Sequence, residues 1–156
     1  MKEIKLTQGK VALVDDGDFE ILNVYQWHID KSRHGYYARR SKKWGVRPMH
    51  RVIMGLIKGE GHEVDHINGN GLDNRRCNLR ICLQSQNAQN RRKIKLKSSQ
   101  FKGVTKRKNY PKWRARIRLS GKLENLGDFD NELQAAAAYN FAAVQKFGEF
   151  ACLNSV

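Results

Sequence analysis

The first 60 residues alternate short apolar stretches with turn signals, a pattern that predicts a strand-rich segment. "KVALV", "EILNVYQWHI" and "GYYARRS" carry β-branched and aromatic residues, and Asp16-Gly17 and His34-Gly35 separate them. In the following "MHRVIMGLI" (Met49–Ile57) the apolar residues recur at helical spacing. We therefore expect strands up to about residue 48 and then a short helix.

The middle of the chain is organised around a polar loop. "GHEV" and "NLRICL" predict two strands, and between them lies "DHINGNGLDNRRC". Gly69, Gly71 and several asparagines favour a tight loop there, because both residue types tolerate left-handed backbone conformations. Beyond the second strand, Ser85 is expected to cap a helix through "QNAQNRRK". The basic, aperiodic "RRKIKLKSSQ" then indicates a linker.

The last third of the chain predicts three strands and a helix. "FKGVTKR", "KWRARIRLS" and "KLENLGDF" are the strands, and the second alternates cleanly. One of its sides carries Trp113, Ala115, Ile117 and Leu119, and the other carries Arg114, Arg116 and Arg118. Such alternation predicts a sheet with one face on a core and one face of arginines.

A C-terminal helix is predicted over "NELQAAAAYNFAAVQKFG". Asp130 or Asn131 would cap its start, and Gly148 would end it. The alanines would allow close approach to the sheet. Its apolar stripe at helical steps consists of Leu133, Ala137, Phe141 and Val144.

Charge sets the class of partner. The 156 residues include 30 Lys and Arg against 15 Asp and Glu, a formal net charge of +15. From Arg75 to Lys122 there are 17 basic residues and no acidic one. A stretch of one sign this long indicates a polyanion, and nucleic acid is favoured over a membrane surface because no strongly amphipathic helix accompanies the charge.

The remaining composition narrows the setting. No run of about 18 apolar residues exists, which argues against a membrane span, and the N-terminus lacks an apolar signal core. Three cysteines without paired C-x-x-C spacing favour free thiols in a reducing cytosol over zinc ligands. We expect a cytoplasmic protein with no small-molecule substrate.

Asp65 and His66 form the candidate reactive pair. Neighbours on an extended strand point to opposite sides, so one can hold a metal while the other faces the substrate. An Asp oxygen suits Mg²⁺, and a His acts as a general base near neutral pH. Phosphodiester hydrolysis uses both functions. From the dipeptide alone, a purely structural histidine remains the alternative.

From His50 to about Arg92 the chain resembles the HNH homing endonucleases of phages and group I introns. The residues that carry the resemblance are "MHRVIMG" and "EVDHINGNGLDNRRCNLRICLQSQNAQN". It implies a ββα-metal module in which His66 is the general base, Asn78 the middle motif residue, and Asp65 and Asn87 the metal ligands. The third motif position is Asn rather than His, and a neutral oxygen donor favours Mg²⁺ or Mn²⁺.

Each site residue has a structural alternative. Asn78 is expected to hydrogen-bond the loop backbone and hold His66 in place, and Asn87 could be only a surface amide. His50 is expected to be a support residue at the edge of the core. The candidate phosphate contacts in this segment are Arg51, Arg75 and Arg76.

Ser99 to Asn154 resembles the plant APETALA/ethylene-response-factor (ERF) DNA-binding domain, through "FKGV", "KWRARIR", "LGDF", "AAAAYNFAA" and "FACLN". The resemblance implies a three-stranded antiparallel sheet in the DNA major groove, backed by one helix. Thr105 and Asn125 replace an Arg and a Trp of the plant domains, and Arg116 replaces a Glu, so their GC-rich target is not transferred. Base readout and backbone-only binding both remain open. The residues that match its DNA contacts are Lys102, Arg107, Arg116 and Arg118, and Arg114 lies on the same face.

The sequence thus predicts an α+β protein with an HNH nuclease module and strand-rich extension (1–92), a basic linker (93–98) and an ERF-type domain (99–156). The expected function is site-specific cleavage of double-stranded DNA with Mg²⁺ or Mn²⁺. A monomer or weak homodimer is expected, and a monomer would nick one strand. The alternatives are a non-catalytic DNA binder with a degenerate hairpin and an RNA-directed protein.

Overall fold

The structure is a computed structural model that describes residues 1–41, 46–57, 59, 61–92, 98–106 and 109–156. It contains several small antiparallel sheets and few helices, which confirms the mixed α and β class. The chain divides into two compact units, Met1–Asn87 and Ala88–Val156, and the division falls inside a helix. The predicted linker lies almost wholly outside the described residues, as does Arg107.

The described residues of the first unit form three antiparallel sheets and three helices, the last of which continues into the second unit. Two sheets are hairpins, β1–β2 and β6–β7, and β3, β4 and β5 pair in that order. The strands are β1 (Lys2–Lys5), β2 (Val11–Val14), β3 (His28–Ser32), β4 (Gly35–Arg40), β5 (Arg47–Pro48), β6 (Glu63–His66) and β7 (Leu79–Cys82). The helices are α1 (Asp16–Asn23), α2 (Met49–Ile53) and α3 (Gln84–Asn90).

The start of this unit corrects the sequence prediction. The stretch "EILNVYQWHI" was expected to be a strand, but most of its first half lies in α1. Asp16 and Asp18 in the first turn favour a helix start because they complement the helix dipole. Ser85 does not cap α3, which begins one residue earlier; instead Gln86 Oε1 accepts the backbone N–H of Leu83.

One apolar core joins these elements. It is built from the inward faces of β1 and β2, from α1 and α2, and from one residue of each strand of the β6–β7 hairpin. The Trp27 indole donates to the Leu22 carbonyl at 2.8 Å, so its polar atom is satisfied inside the core. The largest fully enclosed side chains of this core are Ile4, Val14, Leu22, Trp27 and Met49. The hairpin is therefore fixed to the N-terminal segment by shared packing.

The second unit is a sheet of β8 (Val104–Lys106), β9 (Trp113–Leu119) and β10 (Lys122–Phe129), with α4 (Glu132–Phe147) against one face. All pairings are antiparallel, and β9 lies in the middle. The Asn131 side chain accepts the N–H of Gln134 and caps α4, as the sequence predicts. Gly148 follows the helix with φ 53°, a left-handed value that suits glycine.

The face of α4 that packs on the sheet differs from the predicted stripe. Leu133, Ala137, Phe141 and Val144 are all exposed, Phe141 by 72%. The residues that pack inward are small or aromatic: Ala135, Ala136, Tyr139, Ala142, Ala143 and Phe147. Alanine side chains let the helix backbone approach the sheet, and this close approach outweighs the hydrophobicity of the larger residues.

Asn154 ties the C-terminal segment to the rest of this unit. Its side chain accepts the N–H of Lys102 at 2.6 Å and donates to the Lys102 carbonyl at 3.1 Å. Its backbone exchanges two further bonds with the Asn140 side chain on α4. None of the helices among the described residues is long and apolar enough to cross a membrane.

Replacing Gly103 is expected to destabilise the second unit. Gly103 has φ +77°, and a Cβ there would lie 2.0 Å from Tyr139 Cδ2 and 2.7 Å from the Arg116 carbonyl oxygen. We expect Gly103→Ala to lower the free energy of unfolding by about 2–4 kcal/mol, combining backbone strain and overpacking. Denaturant unfolding followed by circular dichroism measures the loss.

Gly121→Ala is the matched control, because Gly121 has φ +80° but open space where its Cβ would lie. It retains the backbone strain without the clash, so we expect it to cost only about 1 kcal/mol. Equal losses for the two variants would contradict the packing argument.

Candidate active site

The β6–β7 hairpin presents Asp65 and His66 on opposite faces. In its register Asp65 lies across from Arg80, and His66 lies across from Leu79. Both side chains are about 5% exposed. The sequence expectation that the pair ends a strand with its two side chains diverging agrees with this geometry.

The His66 ring sits in a small polar-aromatic cluster. Its Nε2 lies 3.3 Å from Asn74 Oδ1, and its ring centroid is 5.0 Å from that of His50 and 5.9 Å from that of Tyr37. A ring nitrogen that faces an amide oxygen is the one that carries the proton. Asn74 thus favours the tautomer with hydrogen on Nε2, which leaves the lone pair on Nδ1.

Burial lowers the pKa of His66 below its ordinary value of 6.5. The hydrogen bond that His66 donates to Asn74 and the charges of Asp65 and Asp73 act in the opposite direction, but desolvation is the largest cause. The imidazole is therefore neutral at neutral pH, the state in which it can accept a proton.

Asn78 fixes the shape of the polar loop. Its Oδ1 accepts the backbone N–H of Asn68 at 3.0 Å, and its Nδ2 donates to the backbone carbonyl of Asp73 at 2.7 Å. Its backbone carbonyl also accepts the N–H of Ile67 at 2.9 Å. Asn78 therefore ties the residues that follow His66 to the far end of the loop, and these bonds match its predicted structural alternative.

Both loop arginines are held by carboxylates. Arg75 donates two bonds of 2.7 Å to Asp73, whose pKa Arg75 holds below its usual range. Arg76 donates bonds of 2.8 and 2.7 Å to Asp18 on α1, and its backbone N–H bonds Asp15. Both predicted phosphate contacts therefore already pair with carboxylates of the protein itself.

The N-terminal segment supports the same loop. Leu13 of β2 accepts the N–H of Asn74 and donates to the Leu72 carbonyl, both at 2.8 Å. A Cβ on Gly71 would lie 2.4 Å from the Tyr36 carbonyl oxygen, so only glycine lets the loop pack this closely on β4. The same strand carries the Tyr37 ring beside His66.

The two predicted metal ligands each have a polar partner. Asp65 Oδ2 accepts bonds of 2.9 and 2.7 Å from Arg80 on the paired strand. The Asn87 side chain on α3 donates through Nδ2 to Glu63, which lies two residues before Asp65. Glu63, Asp65 and Asn87 thus gather carboxylate and amide oxygens on one side of the hairpin.

This donor set fits a hard divalent cation. Among the residues that the structure describes, no three His, Cys, Asp or Glu side chains cluster as a metal-binding group. Mg²⁺ nevertheless suits one or two protein oxygens, because it retains several waters and takes phosphate oxygens as further ligands. The three cysteines are unpaired thiols and do not form a soft-metal cluster in the described part of the chain.

Arg51, another predicted phosphate contact, bonds the backbone. It donates to the carbonyls of Ile57 and His62. It also lines a cavity of about 890 Å³ that Glu63 borders, together with Arg39 and Arg47. The sequence offered no motif for Arg39 and Arg47, and only the sheet pairing of β4 with β5 brings them together.

The predicted arginine face of the second unit forms, but its members differ in availability. Arg114 donates bonds of 2.8 and 2.9 Å to Asp128 across the strands, and the Lys102 ammonium bonds the Gln89 carbonyl. Arg118 is exposed, and Arg116 reaches Thr105 at 3.5 Å. Lys102, Thr105, Arg116 and Arg118 line a basic cavity of about 330 Å³. Arg91 and Arg92 line the same cavity.

Four residues at the site were missed at the level of sequence. Asn74 and Glu63 flank the Asp-His pair within the same motif, and their spacing from it gives no role. Arg80 lies on the second strand, two residues after Asn78. The sequence does not give the register of the two strands, and only that register places Arg80 opposite Asp65. Tyr37 comes from a distant strand, and no local signal connects it to His66.

Comparison with known proteins identifies relatives. The profile of a family described as HNH endonuclease matches residues 47–89. An uncharacterized HNH endonuclease of Acanthamoeba polyphaga mimivirus is 36% identical over 156 residues, which covers 96% of this chain and 77% of that protein. Protein 3.8 of Escherichia phage T7 is 34% identical over 71 residues, covering 46% of this chain and 59% of that protein. No solved structure gives a significant match.

The matched profile contains the whole β6–β7 hairpin with its Asp-His pair, and the mimivirus relative aligns with nearly the full chain. HNH nucleases generally depend on divalent metals, in agreement with the oxygen donors gathered at this hairpin. The chain belongs to the HNH endonuclease family and is a DNA-cleaving enzyme.

Proposed function

We propose that the chain is a site-specific endonuclease of the homing type, which binds double-stranded DNA through residues 99–156 and cuts it with the module at 1–92. Residues 93–98 would link the two modules. The observation that carries the proposal is the arrangement of Asp65 and His66 at the end of β6. His66 is neutral, and its hydrogen bond to Asn74 fixes its ring.

His66 is the general base of the proposed reaction. With the proton on Nε2 and Asn74 as its acceptor, Nδ1 takes a proton from a water that attacks phosphorus in line. Asn78 acts through the loop, because its bonds to Asn68 and Asp73 set the backbone around His66. The products would carry 5′-phosphate and 3′-hydroxyl ends.

Asp65 and Asn87 are the proposed ligands of a Mg²⁺ or Mn²⁺ ion. When bound, the ion would neutralise charge on the phosphate and on the departing 3′-oxygen. Arg80 already bonds the Asp65 side chain, which restricts its orientation before any cation arrives.

His50 keeps a second charge away from the base. Its ring contacts that of His66, and its buried Nδ1 has no partner among the described residues. Desolvation, followed by the charges of His66, Arg51 and Arg39, lowers the pKa of His50 to about 3. A neutral His50 adds no repulsion when His66 takes up a proton.

DNA contacts are proposed on both units. In the first, Arg39, Arg47 and Arg51 line the cavity beside Glu63. In the second, an ERF-type binding face would be formed by the sheet side opposite α4, where Arg116 and Arg118 are the arginines without a carboxylate partner among the described residues. Arg can bond guanine in two places, so this face supports base readout as well as phosphate contact.

The first test is cleavage of supercoiled plasmid that carries a library of inserts. We expect the wild-type chain to convert it to open circle with Mg²⁺ and not with EDTA, because the proposed ligands hold a divalent ion. We expect His66→Ala and Asp65→Asn to lose at least about a hundred-fold in rate, since each removes a chemical group used in the reaction.

Glu20→Gln is the control, since Glu20 on α1 is largely exposed and forms an ion pair with Lys2 outside the hairpin. Its cleavage rate should stay close to that of the wild type. Open-circle formation by His66→Ala at the wild-type rate would contradict the assignment of the base.

The pKa of His50 predicts acid-dependent stability. The unfolded chain protonates this histidine near pH 6.5, while the folded chain resists protonation down to about pH 3. Stability should therefore fall as pH drops from 6.5 toward 3, by about 2 kcal/mol at pH 5 from this group alone. His50→Phe should remove this part of the slope in denaturant titrations at several pH values. An unchanged slope would show that His50 titrates normally in the folded chain.

Arg118→Ala is expected to weaken DNA binding and its salt dependence. If Arg118 contacts one phosphate, the slope of log affinity against log salt should become shallower by about 0.9. Fluorescence anisotropy with a duplex at several salt concentrations measures it. Arg114→Ala, whose guanidinium is occupied by Asp128, is the comparison and should change the slope less. The opposite ranking would contradict the proposed face.

A further inference from the structure

We propose that Glu63 is a positioning residue for the metal site: its carboxylate holds the Asn87 amide in the orientation that presents Oδ1 to the cation. This inference rests on the proposed role of Asp65 and Asn87 as metal ligands. It assigns a function to a residue that lies outside the motif positions.

An asparagine ligand has an orientation problem that an aspartate lacks. The two ends of its side-chain amide have nearly the same shape, but only the oxygen end can bind a cation. Without a partner for the NH₂ group, the amide can present either end. A ligand asparagine therefore needs an acceptor beside its nitrogen.

Glu63 supplies that acceptor. Asn87 Nδ2 donates to the Glu63 carboxylate, and Oδ1, at the other end of the planar amide group, consequently points away from that carboxylate. No cation pairs with Glu63 among the residues that the structure describes, whereas Arg80 pairs with the nearby Asp65. The amide is therefore the polar partner that the structure gives to Glu63.

The hairpin places Glu63 where it can do this. It stands two residues before Asp65 on β6, so the two carboxylates lie on the same face of the strand. Asn87 lies on α3, which directly follows the paired strand β7. One strand thus provides the carboxylate of the proposed ligand Asp65 and the carboxylate that orients the other proposed ligand.

The test measures Mn²⁺ binding by the full chain without DNA, using titration calorimetry. We expect Glu63→Ala to weaken binding about ten-fold or more, the usual effect of losing a residue that orients a metal ligand. In an Asn87→Asp background both ends of the side chain are oxygens, so orientation no longer matters. There Glu63→Ala should weaken binding by a clearly smaller factor than in the Asn87 background, the part due to charge alone.

Glu63→Gln separates orientation from charge. Glutamine retains an acceptor oxygen for Asn87 but removes the negative charge, so its affinity should lie between those of wild type and Glu63→Ala. Glu20→Gln on α1 is the control for loss of a distant charge, because Glu20 is largely exposed and pairs with Lys2. It should leave Mn²⁺ binding unchanged.

Equal losses from Glu63→Ala in both backgrounds would overturn the proposal in favour of direct ligation or simple charge attraction. No loss in the Asn87 background would overturn it in favour of a structural role. The metal site itself is judged separately by Asp65→Asn. If that variant binds Mn²⁺ like the wild type, the proposed ligands are wrong whatever Glu63 does.

A measurement on the wild-type chain keeps the proposal testable if Glu63 variants do not fold. The Asn87 side-chain NH₂ protons, observed by NMR, should remain hydrogen-bonded to Glu63 when diamagnetic Mg²⁺ is added. Loss of that hydrogen bond on Mg²⁺ binding would overturn the proposal.

Discussion

The site depends on the hydrogen bonds that hold a polar loop in one conformation. Between β6 and β7 the chain has few apolar side chains to bury, so packing alone cannot fix it. Asn78 uses both ends of its amide to join Asn68 to Asp73, and Asp73 in turn binds Arg75 and Asn68. Each bond is worth only about 1 kcal/mol, but a missing partner would leave a buried polar group unsatisfied. The loop is therefore specified by mutual satisfaction of its polar groups.

The N-terminal segment is the platform on which this loop rests. The backbone of Leu13 extends β2 by pairing with the loop, Asp18 on α1 holds Arg76, and β4 accepts the close approach of Gly71. His66 thereby receives Tyr37 and His50 as neighbours from elements distant in sequence. A strand-rich extension whose role the sequence left open is thus part of the structure that orients the candidate base.

Local sequence patterns predicted the elements whose hydrophobic residues recur with a regular period. They failed where contacts between residues distant in sequence determine the structure. Strand β9 follows from its alternation, and the β6–β7 hairpin follows from two short strand-like stretches on either side of a Gly- and Asn-rich loop. The strand expected before His28 is partly the helix α1, because Phe19 and Leu22 pack on the core at helical spacing while the local composition suggests a strand. On α4 the large apolar residues face outward, since the alanine face fits closer to the sheet. Asn74 and Glu63 became recognisable only through their contacts, because hydrogen-bond partners far apart in sequence have no periodic signature.

The few carboxylates of this basic chain determine which arginines remain available to DNA. Asp18, Asp65, Asp73 and Asp128 hold Arg76, Arg80, Arg75 and Arg114 respectively. The sequence predicts three of these arginines, Arg75, Arg76 and Arg114, as DNA contacts. In the structure each of their guanidinium groups is already paired with a carboxylate. An arginine must break such a pair before it can bind a phosphate, and that cost opposes the gain from counterion release. The net charge therefore overestimates the number of arginines that are available to bind DNA. The better candidates for DNA contact are Arg116, Arg118 and the cavity-lining Arg47.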